Sequence, residues 1–188
     1  AYSEDLFAWD NDTENIGSPI RLNVTYSSLN QYHSLLDEEK LREKLAAYKP
    51  KFDFKFNYHT DISHGIDSIS FYLQLEGIEQ ADAIKISRGE QQIFIWCLFL
   101  AMFDIQGWTG EQNNHFFIDD PVSSLDDHNI FVTASTIMDL IDEHCKERKI
   151  IITTHHVGFF SVFADWLMKG EKASSYKSTA IIELISSS

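Results

Sequence analysis

Two adjacent carboxylates, Asp119 and Asp120, stand at the end of a short apolar run, Phe116-Phe117-Ile118, and Pro121 follows at once. The run is the right length for one buried strand. Proline has no N–H for a strand ladder, so the strand must stop there. Buried strands of α/β folds commonly present acids to a ligand at their C-terminal ends. Adjacent strand residues point to opposite faces, so the two acids can take different work, one on a metal ion and one on a water. A second chemical candidate is the histidine pair His155-His156, which follows the apolar run Ile150-Ile151-Ile152 and two threonines. A third is Ser87-Arg88-Gly89-Glu90 at the head of an apolar helix. Ser87 at N-cap and Glu90 three residues on make a capping box that is complete without any ligand. The same helix end offers free N–H groups and the positive end of the dipole, which attract phosphate. Gly89 lets an anion come close to the backbone there.

These residues need elements to hold them. The helix opened by Ser87 runs to about Phe103 and is apolar nearly all round from Gln91, so it belongs in the interior. The strand before Asp119 and a second buried strand, Lys149 to Thr154, are joined by a helical stripe of Ile130, Phe131, Ala134, Ile137, Met138 and Ile141. A crossover of that length predicts a parallel pair that gathers Asp119, Asp120 and His155 in one cleft. Asp126 is placed to cap the connecting helix. Val157 to Lys169 is a further helix, with Gly170 as its C-terminal cap.

Upstream, Phe52, Phe54, Phe56 and Tyr58 alternate with polar residues as a half-buried strand does. Lys51 and Lys55 interleave with these rings, but core packing explains the pattern better than a base-stacking platform. Ser68 to Leu75 is a second strand after a turn at His64-Gly65, giving an antiparallel hairpin. Residues 31–49 read as a helix with Leu35, Leu36, Leu41 and Leu45 on one side, ended by Pro50. The charged Asp37-Glu38-Glu39-Lys40 reads as its solvated face. Near the N-terminus Trp9 to Asp12 and Gly17-Ser18-Pro19 look turn-like, and Ile20 to Tyr26 strand-like. Gly77 to Ala83 and Gly107 to Gly110 read as connections, and Ala180 to Ile185 as a last strand.

Composition narrows the function classes. The chain has 188 residues and is 44% hydrophobic, enough for a real core. Its longest apolar run, Ile93 to Phe103, is too short to span a bilayer. The two cysteines, Cys97 and Cys145, have no metal-type spacing, and Cys97 sits among core residues. A reducing, cytoplasmic setting and no membrane partner are expected. The net charge of −14 opposes nucleic acid, so any such contact is expected through other regions of a fuller protein.

Taken together, three segments resemble ABC-type ATPases in the order that family shows. His115 to Asp126, HFFIDDPVSSLD, resembles the Walker B motif and D-loop. Ile86-Ser87-Arg88-Gly89-Glu90 resembles the signature motif. Ile150 to His155 resembles the switch-histidine strand. The run Thr154 to Phe160, THHVGFF, is similar to the SMC-like branch found in bacterial defence systems, including anticodon nucleases. The resemblance implies an α/β, P-loop NTPase-like fold: the C-terminal lobe of an ABC ATPase, with buried parallel strands and an antiparallel hairpin. It implies that residues 1–188 are a single domain fragment using ATP and Mg²⁺ at a homodimer interface, in service of a nucleic-acid-related defence or repair activity. Asp119 would help hold Mg²⁺, and Asp120 would be the catalytic base. His155 would bond the γ-phosphate and the attacking water. Ser87, Arg88, Gly89 and Glu90, with Asp126 of the D-loop, would serve the nucleotide held by a second copy of the domain. In that company the signature segment reads as a ligand site as well as a cap.

Three departures stand out. The family usually has Glu where Asp120 stands, and Asp is shorter by about 1.5 Å of reach, so slow hydrolysis is expected. Arg88 replaces a family glycine and adds charge. A Walker A motif needs Gly-Lys followed by Ser or Thr, and none of the eight glycines precedes a lysine. The expectation is that Walker A lies in a missing N-terminal portion, or on a separate chain, and that this fragment alone is inactive. Two alternatives stay open. Asp119, Asp120, Asp126, His155 and His156 suit a metal-dependent phosphoesterase, which needs no P-loop but leaves the signature segment unexplained. A non-hydrolysing module that dimerises on sensing nucleotide would use the same motifs without turnover.

Overall fold

The computed structural model describes residues 6–10, 20–27, 30, 35–74, 82–103, 115–144, 149–169, 174 and 176. The chain forms two compact units that divide at Asn113 and Asn114.

The first unit is built on an antiparallel sheet of strands β1 (Phe7–Trp9), β2 (Leu22–Val24), β3 (Phe52–Tyr58) and β4 (Ile66–Leu73), in the order β1-β2-β4-β3. The expected hairpin is β3–β4. Its turn closes through the His59 N–H donating to the Gly65 carbonyl at 3.0 Å, with Gly65 at φ 69°, where a residue without Cβ is at ease. The alternation of β3 holds for Phe52, Phe54 and Phe56, all buried, and fails at Tyr58, which ends the strand half in solvent. Trp9 lies in a strand, not a turn, because Phe7 to Trp9 pairs in register with Leu22 to Val24. Pairing across the sheet outweighs the local turn signal there.

Helix α1 (Glu38–Ala46) is shorter than the apolar stripe suggests. Asp37 has extended backbone and accepts the Glu39 N–H at 3.0 Å, so it caps the helix and fixes its start. Leu35 falls outside it and is exposed, while Leu36, Leu41 and Leu45 are buried. The acidic run is not simply a solvated face. Glu38 and Glu39 pair with Arg42, and the other Glu38 oxygen accepts the Phe56 N–H at 2.9 Å, tying the helix to β3. Arg42 also holds Asp53 and lies 4.9 Å from the Phe54 ring centroid.

Helix α2 (Arg88–Phe103) carries the core. Every residue from Ile93 to Phe103 is buried, as its all-round apolarity requires. Phe94 is the centre of an aromatic cluster, with Phe71 at 4.9 Å, Phe54 at 5.0 Å and Phe52 at 6.5 Å between centroids. Edge-to-face contacts of this kind add to the area they bury. Cys97 is part of the same interior, and burial pushes its thiol well up, so it is a packing residue.

The second unit contains the predicted parallel pair. Strand β5 (His115–Asp119) lies beside β6 (Lys149–Thr153), and helix α3 (Asp127–His144) joins them. Helix α4 (Val157–Lys169) follows. The register pairs Phe117 with Ile151, Ile118 with Ile152 and Asp119 with Thr153. Neither strand is buried on both faces. Phe116 and Ile118 are buried, but Phe117 is 61% exposed and Ile151 45%. The continuous apolar runs overstated burial because a run does not say which face is covered. On α3 the stripe of Ile130, Ala134, Ile137, Leu140 and Ile141 is buried and Phe131 is not. On α4, Phe159 and Phe163 stack at 5.3 Å inside. The segments 77–81, 107–110 and 180–185, together with Gly170 and Cys145, lie outside the described residues.

The aromatic cluster sets a stability prediction. Phe94→Ala should cost about 3–5 kcal/mol in unfolding free energy, because a fully buried ring leaves a hole that its neighbours cannot fill. Urea titration checks this; a loss under about 1 kcal/mol would mean that Phe94 is not the centre of the core.

Candidate functional site

The pairing of β5 with β6 decides where the acids go. Asp119 is the last residue of β5 and sits opposite Thr153, whose hydroxyl donates to Asp119 Oδ1. Asp120 then leaves the strand. Its φ is 42°, in the left-handed region that non-glycine residues rarely enter, though Asp and Asn tolerate it best. The conformation costs on the order of 1 kcal/mol and is fixed by its surroundings. The Asp120 N–H donates to the Thr153 carbonyl at 2.8 Å, which carries the ladder one residue past the strand.

The Asp120 side chain is held at both oxygens. The Thr154 hydroxyl donates to Oδ1 at 3.1 Å, and His155 Nδ1 meets Oδ2 at 3.0 Å. The carboxylate is 19% exposed and the imidazole 81%, so an acid set back in the surface carries a ring standing in solvent. With Nδ1 donating to the carboxylate, Nε2 is left for another partner. Asp120 and His155 therefore meet as expected, while Asp119, one residue earlier, bonds Thr153 instead.

His156 and Asp126 do not join them. His156 starts α4: its Nδ1 accepts the Phe159 N–H at 3.1 Å and its carbonyl accepts the Phe160 N–H at 3.0 Å. Gly158 makes room for that ring, since a Cβ there would come within 3.2 Å of His156 Cε1. Asp126 caps α3, with Oδ1 accepting the Asn129 N–H at 2.9 Å and Oδ2 the Asn129 amide at 3.0 Å. The five-residue metal cluster of the phosphoesterase alternative is not assembled, and among the described residues no three His, Cys, Asp or Glu side chains are grouped to hold a metal.

In the first unit the capping box forms as drawn from the sequence. The Ser87 N–H donates to Glu90 Oε2 at 2.9 Å, and the Glu90 N–H to Ser87 Oγ at 3.3 Å. The N–H groups of Arg88 and Gly89 are not part of the box. Ser87 and Arg88 are exposed, and Gly89 and Glu90 half-buried. Beside them a cavity of about 250 Å³ is lined by Trp9, Lys85, Ile86, Arg88, Gln91 and Gln92. The Trp9 indole N–H donates to Gln91 Oε1 at 2.7 Å and Lys85 Nζ lies 5.4 Å from its ring centroid.

Thr153 and Thr154 escaped the sequence reading, which took them only as strand residues. The signal was present: two hydroxyls close one strand where two carboxylates close its neighbour. In register, each acid receives one hydroxyl.

Comparisons with known proteins agree with the resemblance. The anticodon nuclease of Escherichia coli is 31% identical over 177 residues, covering 86% of this chain and 44% of that protein. The chain thus spans less than half the length of the curated relative it matches. Among solved structures, an SMC head bound to the C-winged helix domain of ScpA superposes with a TM-score of 0.46 at 20% identity, over 68% of this chain and 36% of that one. An SMC ATPase studied for ATP-driven dimerization gives 0.43 at 18% identity, over 71% and 74%. Among the described residues no helix is long and apolar enough to cross a membrane. Residues 36–186 match the AAA domain family, and over that length, most of its 188 residues, the chain belongs to it.

Proposed function

We propose that this chain is the C-terminal lobe of an ABC-type ATPase, contributing Walker B, switch and signature elements to an ATP site closed between two copies. The observation that carries the reading is the contact of Asp120 with His155 at the exits of one parallel strand pair, with Asp119 one residue before. Membership of the AAA domain family supports it.

Asp120 serves as the base, accepting a proton from the attacking water while Thr154 and His155 fix its two oxygens. His155 keeps Nδ1 on Asp120 and turns Nε2 to the attacking water and the γ-phosphate; donating at both nitrogens requires the ring to carry both protons. Asp119 fits Mg²⁺: it is an exposed carboxylate with one oxygen bound to Thr153 and the other outside that bond, and Mg²⁺ is usually held by one or two carboxylates plus waters and phosphate. When bound, the ion neutralises phosphate charge. Ser87, Arg88 and Gly89 meet the γ-phosphate held by the other copy, through the backbone N–H groups beside the capping box and the Arg88 guanidinium. Asp126 shapes the loop between Walker B and α3 through its cap. Phosphoryl transfer needs chiefly positioning and charge stabilisation, and these residues supply both. The nucleotide's main grip is assigned to polypeptide outside this chain, in keeping with the longer relative. A nucleic-acid-related role follows that relative's name and is assigned to the fuller protein.

In a complete protein containing this chain, Asp120→Asn should preserve ATP binding and stop turnover. The amide has the same shape and tolerates the left-handed backbone, yet it cannot take the proton. Binding and steady-state hydrolysis measured together decide it. Wild-type turnover would move base function elsewhere, and a wild-type enzyme with binding but no turnover would leave a nucleotide-sensing module.

Ser87→Asp separates ligand from cap. Asp caps as well as Ser, so melting should stay within about 2 °C of wild type. A carboxylate set against a polyanion should abolish ATP-dependent association. Intact association with unchanged melting would leave Ser87 a cap alone.

A further inference from the structure

We propose that Thr154 is a positioning residue that locks the Asp120 carboxylate for water activation, an inference that rests on the ATPase reading above. Its hydroxyl has one hydrogen and two lone pairs. The His156 N–H donates to Thr154 Oγ1 at 3.1 Å, and a backbone N–H can only donate. The hydroxyl must accept there, so its single hydrogen is directed at Asp120 Oδ1, also 3.1 Å away. The rotor is thereby set by the backbone at the start of α4.

Two anchors on two different oxygens define the plane of a carboxylate; one does not. The second anchor, His155, is 81% exposed and has little packing to hold it. Without Thr154, the Asp120 carboxylate would turn about its terminal bond and take the His155 ring with it. Thr154 is half-buried and follows directly on β6, so its own position is fixed by the strand. Its β-branch narrows its rotamers further. Thr154 touches neither nucleotide nor water in this scheme and acts only through Asp120.

The test uses the complete protein with Thr154→Val, Thr154→Ser, Asp120→Asn and the double variant. Thr154→Val keeps the shape and loses both hydrogen bonds. It should lower kcat on the order of 10- to 100-fold, with KM for ATP and ATP-dependent association near wild type. Thr154→Ser should restore most of the rate. In the Asp120→Asn background, Thr154→Val should change the residual rate little, because both act on one group. The inference is overturned by wild-type kcat in Thr154→Val while Asp120→Asn is inactive. It is also overturned if KM rises while association and melting temperature fall, which marks a merely structural hydroxyl. Wild-type turnover in Asp120→Asn would remove the base assignment, and this inference with it.

Discussion

The register of β5 against β6 is the constraint on which the site depends. Because side chains alternate along a strand, a shift of one residue would set Asp119 opposite Thr154 or Ile152 and turn every contact to the wrong face. In the observed register the two acids meet the two threonines, and the Asp120 N–H extends the ladder to the Thr153 carbonyl. The histidine then follows within reach of Asp120 without any long-range adjustment. Asp119, Asp120 and His155 are placed by one strand pairing and its immediate exit.

That pairing is held unevenly. The antiparallel sheet of the first unit has a helix with a continuous buried stretch and a cluster of four phenylalanines at its centre. The parallel pair has one covered face, and Phe117 and Ile151 stand beside each other on the other. Parallel sheets in folded proteins are usually covered on both faces. The strand pair that carries Asp119 and Asp120 thus leaves one apolar face in water.

Much of this was legible in the sequence, and the misses are instructive. Helix α2, helix α4, the β3–β4 hairpin and the parallel pair each announce themselves by periodicity or by the length of a crossover. Asp119, Asp120 and His155 could be grouped because the strands carrying them were recognisable. Burial of Phe117 and Ile151 could not be judged, since a run of apolar residues reads alike whether one face or two is covered. The start of α1 was misplaced because Asp37 looked like one charge among several, whereas its extended backbone and its bond to the Glu39 N–H make it the cap. His156 and Asp126 both cap helix starts, a use that the sequence offered for Asp126 but not for His156.

The left-handed backbone at Asp120 bears on which residues this position can accept. Short polar side chains are at ease there, because they hydrogen-bond locally and keep Cβ crowding tolerable. Glutamate, with its longer and more flexible chain, enters that region less readily. The choice of the shorter acid is then not only a loss of reach but a match between backbone and side chain. The strand exit that brings the carboxylate to Thr154 and His155 is also what favours aspartate. A longer acid here would alter the conformation along with the reach of the carboxylate, so the residue type at this position is coupled to the shape of the turn.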